Sequence, residues 1–458
     1  MIISILIQTA ILGAALSAGY VVVRMPLIRR SFLPTGLGAG ILLLILSPQS
    51  IGEVLPFMSF PAEYFQNWVK IPKYLINIVF ACLFLGRPLI SFKKMWRLAG
   101  PQIAFGQTLA WGQYAIGGVV TLLILIPLFN MPQITASLIE ISFEGGHGTV
   151  AGMTPVFNEL GFETGRQLAI GLATASLVTA LISGILLINW GAKKGYFIRD
   201  EGIKLKRNEV YYHRVIKEIR SKGVKLREHI TIWRLAGHAL LVVTGVGFGW
   251  LLYKSLSLIE ILLRGENVNL VVHYLPLFTF CMFGGMIAQL ISTKLKLTIS
   301  REIINLISAF TLGVLIMTAV GTMSLDFINK DGLVFIILYL SGVLWILLSF
   351  VFLARRMFGD HWFENAIISM GQSMGMTATG LLFAEMVDKE NKTGAVESFG
   401  YKQLLFEPFM GGGIVTALSM PIIFAVGLKI FTIACLAITI FWLLLGLFYF
   451  KKRPVTNS

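Results

Sequence analysis

Hydrophobic positions in this chain are gathered into long blocks, most of them about 18 to 27 residues, and the charged residues stand mainly between the blocks. Because a helix rises 1.5 Å per residue, ~20 apolar residues cross the ~30 Å hydrocarbon layer of a bilayer. The pattern predicts eleven transmembrane helices. They are expected near residues 2–22, 34–52, 74–91, 102–128, 165–190, 235–257, 274–293, 303–323, 333–354, 403–427 and 430–450.

Two further segments, 134–158 and 361–386, are too polar and too rich in glycine to be ordinary spans. If the first crossed the membrane once, residues 191–234, with 13 Lys/Arg and 5 Asp/Glu, would lie outside, against the positive-inside rule. We therefore predict that this segment is re-entrant, and the same argument makes the second one re-entrant. With both folded back, 31 Lys/Arg fall on the cytoplasmic side and 6 outside.

This threading predicts an all-α polytopic membrane protein with two inverted repeats of five transmembrane helices. Each repeat has a re-entrant hairpin before its fifth helix, a plan typical of secondary transporters. The repeats cover 1–190 and 235–427, the basic cytoplasmic loop 191–234 joins them, and 428–458 adds one helix and a tail. At an offset of 227, three residues of the first hairpin recur in the second: Ser142, Gly148 and Ala151 match Ser369, Gly375 and Ala378.

Composition agrees with lipid as the solvent, since 56% of the residues are hydrophobic and 13% charged, against roughly 45 to 50% and ~25% in soluble domains. The net charge of +15 is concentrated in the loop 191–234, so it does not indicate nucleic-acid binding. Arg24, Arg29 and Arg30 follow the first block, which predicts an uncleaved first span with its N-terminus outside. We expect a multi-pass inner-membrane-type protein with its C-terminus in the cytoplasm.

The two hairpin tips are the candidate sites of chemistry. From Ile134 to Gly145, and from His361 to Gly371, a helix would rise about 15 Å and reach the middle of the bilayer. Helix N-termini at such breaks suit a carboxylate, and the carbonyls that end the incoming limbs suit a cation. The backbone therefore predicts a site for a small anionic solute together with Na⁺ as the coupling ion, with no other cofactor.

Predicted substrate-binding residues come from both tips. His147 either donates to a carboxylate, or senses protons, or is a fixed structural strut bonded to hairpin carbonyls. Glu144 is an acid within the membrane, and it is either functional or placed at a wet vestibule. The full substrate-binding set is Ser142, Gly145, Gly146, His147, Gly148, Thr149, Gly375, Thr377 and Thr379.

Predicted cation-binding residues are those with neutral oxygens in the second tip, together with one acid. Glu407 is the acid expected to be buried. It binds a cation, pairs with Lys402 or is neutral and hydrogen-bonded. Gly411 to Gly413 predict close helix packing. The cation-binding set is Gln372, Ser373, Met374, Thr377 and Glu407.

The strings SFEGGHGTVAG and GMTATGLLFAEMVDKENKTGAVESFGYKQLLFEPFMGGG resemble the two hairpin regions of the bacterial sodium/glutamate symporter family. The resemblance implies sodium-coupled uptake of glutamate and a homodimer in which a transport domain moves like an elevator. The chain departs from that family in its second tip, SMGQSMGMTATG, in its long basic loop and in its eleventh span.

Three alternatives stay open. A proton- or sodium-coupled carrier of hydroxycarboxylates or of another amino acid would use the same backbone. An intramembrane enzyme would use His147 and Glu144 as an acid/base pair, although the six histidines form no metal or nucleophile pattern. An ion channel would need repeated rings of oxygen or charge along a pore. We expect a transporter rather than an enzyme.

Overall fold

The computed structural model describes residues 2–25, 34–87, 92–197, 231–264, 272, 275–388 and 392–450. Most of the predicted basic loop 191–234, and the terminal Lys451, Lys452 and Arg453, lie outside these residues. All regular structure in the described residues is helical. The principal helices are α1 (Ile2–Val22), α2 (Thr35–Ile45), α3 (Ile71–Ala81), α4 (Phe92–Val120), α5 (Leu138–Phe143), α6 (Gly146–Gly152), α7 (Thr154–Glu159), α8 (Glu163–Lys194), α9 (Ile232–Arg264), α10 (Leu277–Lys294), α11 (Arg301–Gly321), α12 (Asp326–Leu348), α13 (Trp362–Met374), α14 (Thr377–Val387), α15 (Ala395–Phe406), α16 (Ile414–Val426) and α17 (Leu428–Leu444).

Three of these helices are extended by π-helical turns: α4 by Thr121–Leu125, α12 by Ser349–Ala354 and α17 by Leu445–Phe450. After its π-turn, α4 continues as Ile126–Phe129, and α12 continues as Arg355–Met357. Short helical turns at Ile51–Val54, Pro56–Met58, Ala62–Trp68 and Gln133–Ser137 connect the longer helices.

Eight helical segments of the described chain are long and apolar enough to cross a membrane. They match eight of the predicted spans, so the chain is a helical polytopic membrane protein. The segments are Ile3–Val22, Met95–Phe129, Glu163–Lys194, Ile232–Leu263, Leu277–Lys294, Arg301–Gly321, Lys330–Met357 and Leu428–Phe450.

The other three predicted spans are wrong in extent. The span predicted at 34–52 is helical over Thr35–Ile45 and again from Ile51, and it is interrupted around Pro48, which disfavours helical backbone in the residue before it. The span predicted at 74–91 is α3, which begins earlier and ends at Ala81. The span predicted at 403–427 is two helices, α15 and α16, separated by the irregular residues 407–413.

The end of α3 is held by a charged side chain from another helix. Arg301 at the start of α11 donates from Nη1 to the carbonyls of Cys82 at 2.7 Å and Leu85 at 2.6 Å. Gln289 accepts a hydrogen bond from the Gly86 amide at 2.7 Å. The backbone groups released where α3 stops are thus satisfied inside the protein, as membrane burial requires.

The helices pack in two groups. In the first, α1 packs on α2, α2 on α11, α9 on α10, and α10 on α3. In the second, α4 packs on α15 and on α17, while α8 packs on α12 and α13. A large apolar core fills the second group and extends to Ile76, Phe278 and Leu315 of the first. Cys82, Cys281 and Cys435 are buried and free.

Each of the two glycine-rich segments forms a pair of helices that pack on each other, α5 with α6 and α13 with α14. In the second segment the incoming limb is longer than predicted. α13 has 13 residues and ends at Met374, so Gly371 and Gln372 lie inside the helix and the break falls at Gly375 and Met376. In the first segment the outgoing limb is interrupted at Met153, between α6 and α7.

Candidate functional site

Three helix breaks converge in the interior of the protein. The first lies between Phe143 and Gly146, the second between Met374 and Thr377, and the third between Phe406 and Ile414. The first two are the predicted hairpin tips, whereas the third lies in a segment for which the sequence predicted an unbroken span. Pro408 and the run Gly411 to Gly413 are the local cause of the third break, since both residue types weaken a helix.

Close backbone approaches place these breaks next to one another. Gly146 has a φ of +67°, and a Cβ built on it would lie 3.7 Å from the carbonyl oxygen of Gly375. A Cβ built on Gly411, whose φ is +66°, would lie 3.2 Å from the carbonyl oxygen of Glu144. The tips of both hairpins and residues 407–413 therefore meet at one place, which we call the hairpin crossing.

Glu140 ties the third break to the first hairpin. Its buried carboxylate accepts hydrogen bonds from the Tyr114 hydroxyl at 2.5 Å, the Gly411 amide at 3.0 Å and the Thr416 hydroxyl at 2.9 Å. Gly411 and Thr416 belong to the predicted span 403–427, which the third break interrupts and which we call the broken span. The prediction missed Glu140, although an acid four residues before Glu144 in an apolar limb was a signal for it.

A hydrogen-bonded chain of three buried side chains crosses the site. Lys402 of α15 donates from Nζ to Oε1 of Gln372 on α13. Gln372 donates from Nε2 to Oε1 of Glu144, at the first tip, at 2.6 Å. We call these three residues the Lys402–Gln372–Glu144 relay. It joins both hairpins and the broken span through one amide.

Glu407 is not the most buried acid, contrary to the prediction. Its side chain is partly exposed, whereas Glu140 is fully buried and Glu144 is 6% exposed. Glu407 Oε1 accepts hydrogen bonds from Gln403 at 2.7 Å and from the Thr377 hydroxyl at 3.2 Å. The sequence left pairing with Lys402 open, but Lys402 bonds to Gln372 instead because its side chain points toward α13.

The predicted cation-binding residues fall into two clusters. Thr377 and Glu407 are together, with Gln403 bonded to both. Gln372 belongs to the relay, while Ser373 and Met374 are fully buried beside it in sequence. Within the described chain, several buried oxygens near these clusters have no hydrogen-bond partner: Ser142 Oγ, Glu144 Oε2, Ser373 Oγ, Gln403 Oε1 and Glu407 Oε2.

This concentration of unpartnered oxygens bears on function, because leaving a buried acceptor unsatisfied costs about 1 to 3 kcal/mol. Most buried polar groups in proteins have a partner, so a cluster of exceptions indicates a place where a ligand, an ion or a water completes the bonding. Among the described residues no group of three His, Cys, Asp or Glu side chains could hold a metal ion. Sodium is bound by neutral oxygens as well, and this site offers hydroxyl and amide oxygens beside the carboxyl oxygens of Glu144 and Glu407.

The predicted substrate-binding residues of the first hairpin point in different directions. His147 Nε2 is 2.9 Å from the Thr174 hydroxyl of α8, and the ring is buried. A Cβ on Gly148 would meet Ile76 Cδ1 of α3 at 2.9 Å, so this residue faces the first helix group. The Thr149 hydroxyl lies 3.4 Å from the carbonyl oxygen of Gly411.

The remaining predicted residues lie at or beside the two tips. Gly145 and Gly146 form the first tip, and Ser142 is buried in the last turn before it. Gly375 forms the second tip, with Thr379 one turn further along α14. The predicted set is thus gathered around the crossing, except that His147 and Gly148 face neighbouring helices.

No family model matches the chain, and no curated protein matches it. The geometry of the hairpin crossing is therefore the basis for its function.

Proposed function

We propose that the chain is a secondary active transporter that carries glutamate, or a similar small anionic amino acid, together with sodium by alternating access. One observation carries the proposal: three interrupted helices meet inside an apolar bundle and bring acids, a lysine and unpartnered oxygens to one buried place. Polar groups at such depth are costly, and in membrane proteins they mark substrate and ion pathways.

The packing of the helices supports the inverted repeats. Each half has four helices, a helical hairpin and a fifth element, which is α8 in the first half and the broken pair α15 and α16 in the second. The contacts between halves are reciprocal. The second helix of each half packs on the third helix of the other half, α2 on α11 and α10 on α3. The fourth helix of each half packs on the fifth element of the other half, α4 on α15 and α12 on α8. This exchange is what two structurally related halves would produce, and the odd number of spans in each half gives them opposite orientation in the proposal. In the proposal the two hairpins are re-entrant from opposite faces.

The contact between the first hairpin and the first helix group supports an elevator-like movement. α6 packs on α3 and α11, and it does so through glycines at positions 148 and 152. A Cβ on Gly152 would lie 2.5 Å from Phe278 Cδ1 and 3.3 Å from Ile76 Cγ1. Gly148 and Gly152 have no side chain that could hydrogen-bond to the apolar side chains they contact. In the proposal, the first and second helix groups slide past each other at this contact. The homodimer is part of the same proposal.

The driving force is sufficient. A tenfold sodium gradient supplies ~1.4 kcal/mol per ion, and a potential of 100 mV adds ~2.3 kcal/mol for each net charge. If two sodium ions accompany a monoanion, about 5 kcal/mol is available, which supports an accumulation of several thousandfold.

The leading alternative is a proton- or sodium-coupled carrier of another carboxylate, which would use the same crossing. The enzyme alternative draws no support from the site, because His147 bonds to Thr174 whereas Glu144 bonds to Gln372. A channel would have to run through a crossing that is filled by buried side chains such as Met374 and Phe406.

Uptake of radiolabelled glutamate into proteoliposomes tests the proposal, with sodium and proton gradients imposed separately. We expect the sodium gradient to drive concentrative uptake and Glu144→Gln to reduce it strongly. Glu63→Gln, which changes an exposed acid, is the matched control and should retain uptake.

Uptake that follows the proton gradient alone, or that prefers a hydroxycarboxylate in competition assays, would select the alternative carrier. Absence of gradient-driven uptake for amino acids and hydroxycarboxylates alike would reject the transporter proposal. Single-channel currents without concentrative uptake would favour the channel.

A further inference from the structure

Lys402 is enclosed on every side. None of its surface is exposed, although it is a charged residue on a helix of a membrane protein. Its Nζ lies 3.9 Å from the ring centroid of Phe406 and 5.4 Å from that of Phe399. A Cβ on Gly106 of α4 would be 2.5 Å from Lys402 Cε and 2.9 Å from its Nζ. The space beside Gly106 is therefore occupied by the lysine side chain.

The relay compensates the charge of this ammonium. Gln372 turns its amide oxygen toward Lys402 Nζ and its amide N–H toward the Glu144 carboxylate. This orientation of the amide suits a positive charge at one end and a negative charge at the other. An isolated buried charge is very costly, so each charged residue depends on the other across the amide.

The ammonium also lies where a coupling cation would be expected. An ammonium has three donors, and in the described chain its one side-chain oxygen partner is Gln372 Oε1. The Ser373 hydroxyl faces the Glu144 carboxyl. Within the described residues, neither Ser373 Oγ nor Glu144 Oε2 is completed by a hydrogen bond to any other group. Carboxylate, amide and hydroxyl oxygens are the ligands that hard cations prefer.

We propose that Lys402 is a tethered cation, which supplies at the hairpin crossing the positive charge that one coupling sodium ion would otherwise bring. The inference rests on the proposed function and adds a statement about its ion coupling. A tethered charge moves with the hairpins in both directions, so it neutralises Glu144 without drawing on an ion gradient. The wild-type protein therefore binds one sodium ion fewer than the oxygens at the hairpin crossing could coordinate.

Removing the ammonium should create a sodium requirement. In Lys402→Ala the carboxylate of Glu144 loses its counter-charge, Gln372 Oε1 loses its donor, and the volume of the lysine side chain is vacated. Sodium entering that space stabilises the folded protein, by an amount that grows with the logarithm of its concentration. In the double variant Lys402→Ala/Glu144→Gln no charge remains to be neutralised, so the requirement should disappear.

The experiment measures the melting temperature of the purified full chain in detergent as sodium chloride replaces choline chloride at constant ionic strength. We expect Lys402→Ala to melt lower than wild type in choline and to recover with sodium, with about one additional radioactive sodium ion bound per chain. The double variant should lose the additional sodium response. Lys402→Gln, which keeps more of the side-chain volume, serves if the alanine variant does not fold.

Folded Lys402→Ala or Lys402→Gln protein whose sodium response equals that of wild type would overturn the tethered cation. So would an additional sodium response, beyond that of wild type, that persists after Glu144→Gln is added. Melting temperature and sodium binding are measured without transport. The tethered cation and the transporter proposal can therefore be rejected independently of each other. Wild-type uptake with an unchanged sodium response in the variants rejects only the tethered cation, whereas a Glu144-dependent response without any wild-type uptake rejects only the transporter.

Discussion

The hydrogen bond between Tyr114 and Glu140 gives a sharp prediction about the anchoring of the broken span. Tyr114→Phe removes one hydroxyl and leaves the ring. The packing of that ring on Phe431, with centroids 5.6 Å apart, and on Trp111, at 6.0 Å, should therefore remain. The variant isolates the loss of the 2.5 Å bond to Glu140, which then keeps only the Gly411 amide and the Thr416 hydroxyl.

The size of the effect depends on whether the Glu140 carboxyl is ionised. A hydrogen bond to a charged group contributes about 1.5 to 3 kcal/mol, whereas one between neutral groups contributes about 0.5 to 1.5 kcal/mol. Both partners here are fully buried, so water cannot replace the lost donor. We expect Tyr114→Phe to lower the free energy of unfolding by about 2 kcal/mol, or to raise the unfolded fraction about thirtyfold.

Tyr339→Phe is the matched control. The Tyr339 hydroxyl lies 2.6 Å from the Thr179 hydroxyl, and Thr179 keeps its own bond to the Ala175 carbonyl at 2.8 Å. The same chemical change at this neutral pair should cost about 1 kcal/mol. Equilibrium unfolding in mixed micelles measures both variants, and the ratio of the two losses is the informative quantity.

Equal losses for the two variants would refute an ionised Glu140 as the acceptor. A loss for Tyr114→Phe that persists undiminished in a Glu140→Gln background would also refute it, since residues in one network should show coupling.

Three further outcomes are expected from the structure. Gly148→Val should abolish uptake while leaving membrane insertion intact, because its side chain would wedge against Ile76, whereas Gly247→Val, with no atom near its Cβ, should transport normally. If His147 is a strut, Thr174→Val should lower the melting temperature and leave the KM for substrate unchanged; a raised KM would instead assign the histidine to the substrate site. A cysteine introduced by Ser221→Cys should react with membrane-impermeant maleimide only from the cytoplasmic side, and the three native cysteines are buried and should give little background.

The extent of each helix was predictable where length and hydropathy alone decide it. The long apolar blocks are helices close to their predicted bounds, as α1, α8 and α11 illustrate. The prediction failed where a helix stops inside an apolar block, at Ala81 and again at Phe406. There the released backbone groups find partners from distant segments, such as Arg301 for Cys82 and Glu140 for Gly411, and the local sequence does not contain those partners.

The site shows the same division. Glycine-rich strings marked the two tips, and the tips do meet. The side-chain partners could not be predicted from the local sequence, since Glu144 bonds to a residue 228 positions away and Glu140 to one 276 positions away. Pairing of Lys402 with Glu407 is one of three alternatives that the sequence leaves open, and the structure instead directs the ammonium to Gln372.

The sequence by itself determined that this chain is a helical membrane protein with two interrupted, polar segments, because transfer of apolar residues to lipid is a local property of each block. Only the tertiary structure decided which buried acids are anchored by neutral donors, which acid is compensated by a lysine and where a third helix break joins the site. The physical reason is that a buried charge or an open backbone group is stabilised by whatever donor or acceptor packing brings to it. For Cys82, Glu144 and Gly411 that partner comes from the other half of the chain.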